Sequence, residues 1–186
     1  TNIIAQKITK QAENLMYFGL AESQKLFGYL EELELFDKTN REGHAAKVYF
    51  NAMFGKNFSR SDECPVNAAL NYGYSILLSC INREIAACGY STMLGLFHDN
   101  IFNQFNLSCD LMEPFRPVID RYVKEAGLQK FESEEKHKLL SLLNLELMID
   151  GRRQTLLNTI KIYTKSVLDA LVGDDISMIK YYKYEL

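Results

Sequence analysis

"PVNAALNYGYSILLSCINREIAAC", residues 65–88, decides the fold. Pro65 stands where the first turn of a helix tolerates a residue without an N–H. Gly89 follows as a stop. Between them the stretch is apolar on almost every side, which predicts a central helix rather than a half-exposed one. Gly73, between Tyr72 and Tyr74, costs about 1 kcal/mol relative to alanine inside a helix, so a close packing contact is expected there. Read on their own, the tyrosines are ordinary core residues with satisfied hydroxyls.

The flanking sequence extends the helical reading. Residues 3–35 carry Ile4, Ile8, Leu15, Phe18, Leu20, Leu26, Phe27, Leu30 and Leu33 at helical spacing, one long or broken helix. Asn40 is a plausible N-cap for a helix over 40–54, with Ala45, Val48, Tyr49, Ala52 and Met53 on its apolar side. A polar loop is expected over 54–63 and irregular structure over 90–108. Further helices are expected over 109–126, ending before Gly127, over about 132–144, and over 155–172. Asp150-Gly151, between two short β-prone runs, signals a type I′ hairpin. The tail from Ser177 is read as loose or ordered by a partner. The expected class is all-α, a helical bundle with at most one small β-hairpin, forming a single domain over residues 1–186.

Composition narrows the function. The chain of 186 residues is 47% apolar, enough for a real core. It opens on Thr-Asn-Ile without an initiator methionine, which reads as a piece of a longer protein. No run reaches the roughly 18 apolar residues that span a bilayer, so no membrane role is expected. Cys64, Cys80, Cys88 and Cys109 lack CxxC spacing and read as reduced thiols of a cytoplasmic protein. The net charge of −3 does not advertise nucleic-acid binding, so any DNA surface must be local.

The candidate chemistry lies in "HDNIFNQFNLSCDLMEPFRP", residues 98–117. Asp110 and Glu113 are three residues apart and share a helix face. They can cap a helix N-terminus, or they can join His98 in a site for a divalent cation, which needs a further acidic ligand. Glu42, in the first turn of the 40–54 helix beside Arg41 and His44, offers that ligand. It also fits an ordinary capping arrangement.

Three segments, "REGHAAKVYFNAMFG" (41–55), "NAALNYGYSILLS" (67–79) and "GLFHDNIFNQFNLSCDLMEPFRP" (95–117), agree in sequence, order and spacing with one family. The chain resembles the CRISPR-associated adaptation integrase, most closely the form found with single-effector, type II-A systems. The resemblance implies a helical C-terminal catalytic domain, with the family's N-terminal β domain absent from this chain. It implies Glu42, His98 and Glu113 as ligands of Mg²⁺ or Mn²⁺, and Asp110 as an acid that helps hold the metal or orient a ligand. It makes Tyr72 the active-site tyrosine, which would position a phosphate or terminal nucleotide. Arg116 stands where many members have lysine, and Arg116 and Arg41 would meet DNA. The implied activity is that of a metal-dependent endonuclease and integrase. DNA 3′-hydroxyls would attack phosphodiesters as spacers enter the repeat array. The implied partners are double-stranded DNA, a second copy in a homodimer, and a small companion adaptation protein. Two other functions are weighed beside it: a catalytically silent helical module that only contacts protein or DNA, and a hydrolase of small phosphoesters.

Overall fold

A computed structural model describes residues 1–184. The described residues are all-α with one two-stranded antiparallel hairpin, as the sequence predicts. The elements are α1 (Asn2–Tyr17), α2 (Ser23–Glu31), α3 (Arg41–Phe54), α4 (Pro65–Ala87), α5 (Asn106–Met112), α6 (Arg116–Ala126), α7 (Ser133–Ser141), β1 (Glu146–Ile149), β2 (Arg152–Thr155) and α8 (Leu156–Gly173). Among the described residues no helix is long and apolar enough to cross a membrane. The four cysteines are free thiols.

Two compact units make up the chain. The first comprises residues 1–74 and 113–135; the second comprises 75–112 and 136 onward. In the first, α1 packs against α2, α3 and α6. Ile4, Ile8, Ala12 and Leu15 of α1 form one cluster with Leu26, Ala45, Tyr49 and Met53. This is the apolar face anticipated from helical spacing, but the 3–35 stretch breaks after Tyr17. Polar side chains are satisfied inside the unit. Asn14 Nδ2 donates to Tyr49 Oη at 2.9 Å and to the Pro117 carbonyl at 2.7 Å, and Arg121 Nε donates to Asn14 Oδ1 at 2.9 Å. Gly73 has the predicted reason: a Cβ there would lie 2.4 Å from Ile119 Cγ2.

In the second unit α8 packs on the hairpin, burying Leu147 and Ile149 with Leu156, Ile160, Tyr163 and Val167. Asp150 (φ 53°) and Gly151 (φ 71°) are both left-handed, the type I′ geometry that the Asp-Gly pair signals.

Two expectations need correction. The helix expected over 109–126 begins at Asn106 and is interrupted by a 3₁₀ turn over Glu113–Phe115. Pro114 and Pro117 lack the N–H groups that a continuous helix would use. The tail is not loose through Tyr184. Met148 N donates to the Lys183 carbonyl at 3.0 Å, Lys183 N returns a bond to Met148 O at 2.8 Å, and Tyr182 is buried. Glu185 and Leu186 lie outside the described residues.

Candidate active site

In the first unit the site starts at the N-terminus of α3. Asn40 is the N-cap residue in the left-handed region (φ 52°), but its side chain makes no capping bond. Asp37 does the capping instead: its carboxylate accepts from Arg41 N at 2.7 Å and from Glu42 N at 3.0 Å. With those donors satisfied, the Glu42 side chain turns to another partner. Its Oε1 receives the Lys7 ammonium at 2.6 Å. The same Nζ lies 2.5 Å from Glu113 Oε2, so one cation joins two carboxylates. Glu113 Oε1 in turn accepts from Arg116 Nε at 2.9 Å. This is a secluded cluster, with side-chain exposures of 12% for Lys7 and 7% for Glu113. Burial alone would lower the Lys7 pKa, but the charges of Glu113 and Glu42 outweigh it and raise it above the ordinary value.

A second layer supports Arg116. Its guanidinium lies 4.5 Å from the centre of the Tyr74 ring, a cation–π contact. Burial works to lower the Arg116 pKa, yet Glu113 and its other neighbours hold it raised. Arg60 lies over the same ring at 5.4 Å, and it donates to Asn67 Oδ1 and to Asn71 Oδ1. The Tyr74 hydroxyl donates to Asp120 Oδ1 at 2.5 Å. Burial pushes the Asp120 carboxyl up to about 6, against the opposing pull of Tyr74, Tyr49, Arg116 and Arg60. Tyr72, on the same helix, is half-buried with its ring 5.6 Å from that of Phe131. Arg41 pairs with Glu32 Oε2 at 2.8 Å and lies over the Tyr29 ring. His44 is exposed, its ring 6.2 Å from that of Tyr29.

In the second unit, residues 90–105 form an irregular segment, as expected, but one held firmly at its polar positions. Asp110 of α5 accepts the backbone N–H groups of Leu96 (2.5 Å), Phe97 (3.0 Å) and His98 (3.2 Å). Its Oδ1 also lies 2.6 Å from His98 Nδ1. An ionised carboxylate can only accept, so Nδ1 carries the proton in that contact. Asp110 therefore does not cap its own helix; it organises a loop and fixes an imidazole. Burial alone would raise its pKa, but the bonds from His98, Phe97 and Leu96 hold it below the usual carboxylate range. Gly95 is needed for this approach: a Cβ there would lie 2.2 Å from the His98 carbonyl. Asn106 completes the scaffold, donating to the Met93 and Asn100 carbonyls at 3.1 and 2.9 Å.

The predicted residues thus fall into two arrangements: Glu42 with Glu113 in the first unit, and His98 with Asp110 in the second. Among the described residues no three His, Cys, Asp or Glu side chains are gathered closely enough to hold a metal. The donor chemistry nevertheless fits a divalent cation. The two carboxylates already share one positive charge, and a carboxylate on Nδ1 is the usual way of aiming a ligating imidazole through Nε2. Carboxylate oxygens with one imidazole suit Mg²⁺ or Mn²⁺.

Sequence reasoning missed Lys7, Asp37, Arg60 and Asp120, whereas Tyr74 is the buried residue with a satisfied hydroxyl that it expected. A signal existed for Lys7. It lies on the α1 face that carries Ile4, Ile8, Gln11 and Leu15, and a lysine on an apolar stripe calls for a buried partner.

Comparison with known proteins bears on the family and the fold. The sequence profile of the family described as CRISPR associated protein Cas1 matches residues 1–156. The CRISPR-associated endonuclease Cas1 of Neisseria meningitidis serogroup C (strain 8013) is 38% identical over 156 residues, covering 80% of this chain and 51% of that protein. The chain thus spans about half of that relative's length. Among solved structures, a partial Cas6-RT-Cas1–Cas2 complex superimposes with a TM-score of 0.78 at 18% identity, covering 99% of this chain and 67% of that one. A casposase bound to its integration product gives 0.74 at 18% identity, covering 94% and 60%. At such identities the structural likeness speaks for the fold, and the fold agrees with the sequence match. The chain belongs to the CRISPR-associated protein Cas1 family.

Proposed function

We propose that this chain carries the catalytic part of a divalent-metal-dependent DNA endonuclease and integrase of CRISPR adaptation. The observation that carries the reading is the Glu42–Lys7–Glu113 cluster: two secluded carboxylates, far apart in sequence, already arranged around one positive charge. A relative named as an endonuclease supports the reaction class. Glu42, Glu113 and His98 are the proposed ligands of Mg²⁺ or Mn²⁺. The bound ion would supply Lewis-acid stabilisation of charge at a phosphodiester.

The chain's own groups divide the remaining work. Asp110 fixes the tautomer and direction of His98. Arg116, raised in pKa and seated on Tyr74, stays charged to meet a phosphate oxygen, and Arg41 extends that positive edge. Tyr72 positions the phosphate or terminal nucleotide and does not attack. In integration the oxygen of a DNA 3′-hydroxyl attacks phosphorus, its proton departs, and the severed strand leaves with a 3′-hydroxyl of its own. With water as the nucleophile the same site hydrolyses DNA.

Double-stranded DNA, a second copy of the chain and a small companion protein are the proposed partners, and the cytoplasm is the proposed location. The neighbouring structures, one a complex with Cas2 and one a casposase bound to its integration product, support the companion and the DNA. The test is Mn²⁺-dependent cleavage and strand transfer on branched DNA by the protein containing this chain. Glu42→Ala, His98→Ala and Glu113→Ala should each abolish both reactions while helical circular dichroism is kept. An active Glu42→Ala and Glu113→Ala pair would overturn the reading. A wild-type protein that folds and acts on no DNA would favour the silent helical module instead.

A further inference from the structure

We propose that Lys7 is a built-in competitor for the divalent ion: its ammonium holds the Glu42–Glu113 pair together before metal enters and must leave for metal to bind. The inference rests on the reading of Glu42 and Glu113 as ligands.

Three observations carry it. First, Lys7 Nζ lies at 2.6 Å from Glu42 Oε1 and 2.5 Å from Glu113 Oε2. A Mg²⁺ or Mn²⁺ ion would sit roughly 2.0–2.5 Å from such oxygens, so ion and ammonium claim the same space. Second, they carry like charge in a secluded site, where each weakens the other's hold on the shared carboxylates. Third, the carboxylates need a cation. Two ionised acids sharing one site repel. Of the two acids, Arg116 bonds Glu113, through Oε1, while Lys7 reaches both. Lysine suits a displaceable role. It is a point charge on a flexible four-carbon stem, whereas a planar guanidinium fork would be harder to move aside.

A permanent structural ion pair makes a different prediction. If Lys7 only braced α1 against α3 and the 113–115 turn, removing it would loosen the fold and weaken metal binding or leave it unchanged. If it competes, removal costs stability without metal and strengthens metal binding.

The experiment is a Mn²⁺ titration of the metal-free protein, read from the electron paramagnetic resonance signal of free Mn²⁺, on wild type, Lys7→Gln, Lys7→Arg and Glu42→Gln. Lys7→Gln keeps a hydrogen-bond donor and drops the charge. It should bind Mn²⁺ about tenfold tighter than wild type, the size of effect expected from losing one competing ion contact. Its melting temperature should be lower without metal and should rise more on adding Mn²⁺. Lys7→Arg, which keeps the charge, should bind no tighter than wild type, and it serves as the readout if Lys7→Gln does not fold. Lys7→Gln binding equal to or weaker than wild type, or Lys7→Arg binding tighter, overturns the proposal. If Glu42→Gln also leaves Mn²⁺ binding unchanged, the ligand assignment falls as well. If Glu42→Gln alone abolishes binding, the failure belongs to Lys7.

Discussion

Asp110→Ala isolates how His98 is held. The carboxylate is 4% exposed and takes three backbone N–H groups and the His98 ring. Hydrogen bonds to a charged group contribute about 1.5–3 kcal/mol each, but four such bonds do not add in full. The segment they organise is open to solvent, with Leu94 78%, Ile101 86% and Phe102 92% exposed, so water replaces part of what is lost. We expect local opening to become easier by about 2–4 kcal/mol. At about 1.4 kcal/mol per factor of ten, amide exchange at Leu96, Phe97 and His98 should speed up roughly 30- to 1,000-fold. Hydrogen exchange read by mass spectrometry or NMR measures this directly. Amides of α8 at Ile160, Tyr163 and Val167, in the core of the same unit, should be unaffected. Unchanged exchange at 96–98 would refute the scaffold role. Equal loss of protection in α8 would show that Asp110 supports the unit as a whole. The pH dependence has a definite sign. The folded-state pKa of Asp110 is lowered, so its stabilisation is complete above about 3.9, the ordinary carboxylate value, and is lost as pH falls through the lower folded value. The wild-type loop should therefore loosen in acid below about pH 4, and Asp110→Asn should not show that step.

Asp120 should show the opposite dependence. Its folded pKa is raised to about 6, so the folded state holds the proton more tightly and this group's contribution falls as pH rises from about 4 to 6. Asp120→Asn, measured by chemical denaturation, should gain about 3 kcal/mol relative to wild type between pH 4 and pH 7; a pH-independent difference would contradict the assignment. Gly73→Ala puts a methyl 2.4 Å from Ile119 Cγ2. Overpacking of about 1–3 kcal/mol should exceed the gain of about 1 kcal/mol in helix propensity, lowering the melting temperature by a few degrees; a stabilised variant would show that Ile119 moves aside freely. Asp37→Ala removes the acceptor for Arg41 N and Glu42 N and should cost about 1–2 kcal/mol, whereas Asn40→Gly, which removes no capping bond and keeps the left-handed φ of 52° without strain, should cost less; the reverse order would return the cap to Asn40.

The sequence was legible where short-range rules decide. Pro65 and Gly89 bracket α4, and Asp150-Gly151 makes the hairpin. In both cases the determining residues lie within the element or just past its end. Helical periodicity alone runs on through 109–126, and the break over 113–115 comes from Pro114 and Pro117, which lack the N–H donors that a continuous helix uses. The tail was missed because its order comes from pairing with Met148, a contact that its own composition does not announce. The same limit explains the site. His98 and Asp110 lie close enough in sequence for their pairing to be suspected. Lys7 meets Glu42 across 35 residues, and Glu113 from farther still, by the packing of α1. No spacing rule reaches that far. What the sequence did offer was a lysine on an apolar stripe.

The central claim is that Glu42, Glu113 and His98 hold one divalent ion. A crystal of the protein soaked in Mn²⁺, with data collected at the manganese absorption edge, tests it most directly. We expect one anomalous peak about 2.0–2.5 Å from carboxylate oxygens of Glu42 and Glu113 and from His98 Nε2, with the Lys7 ammonium withdrawn. An ion bound elsewhere, or Lys7 still bridging the two glutamates at saturating Mn²⁺, would contradict the account.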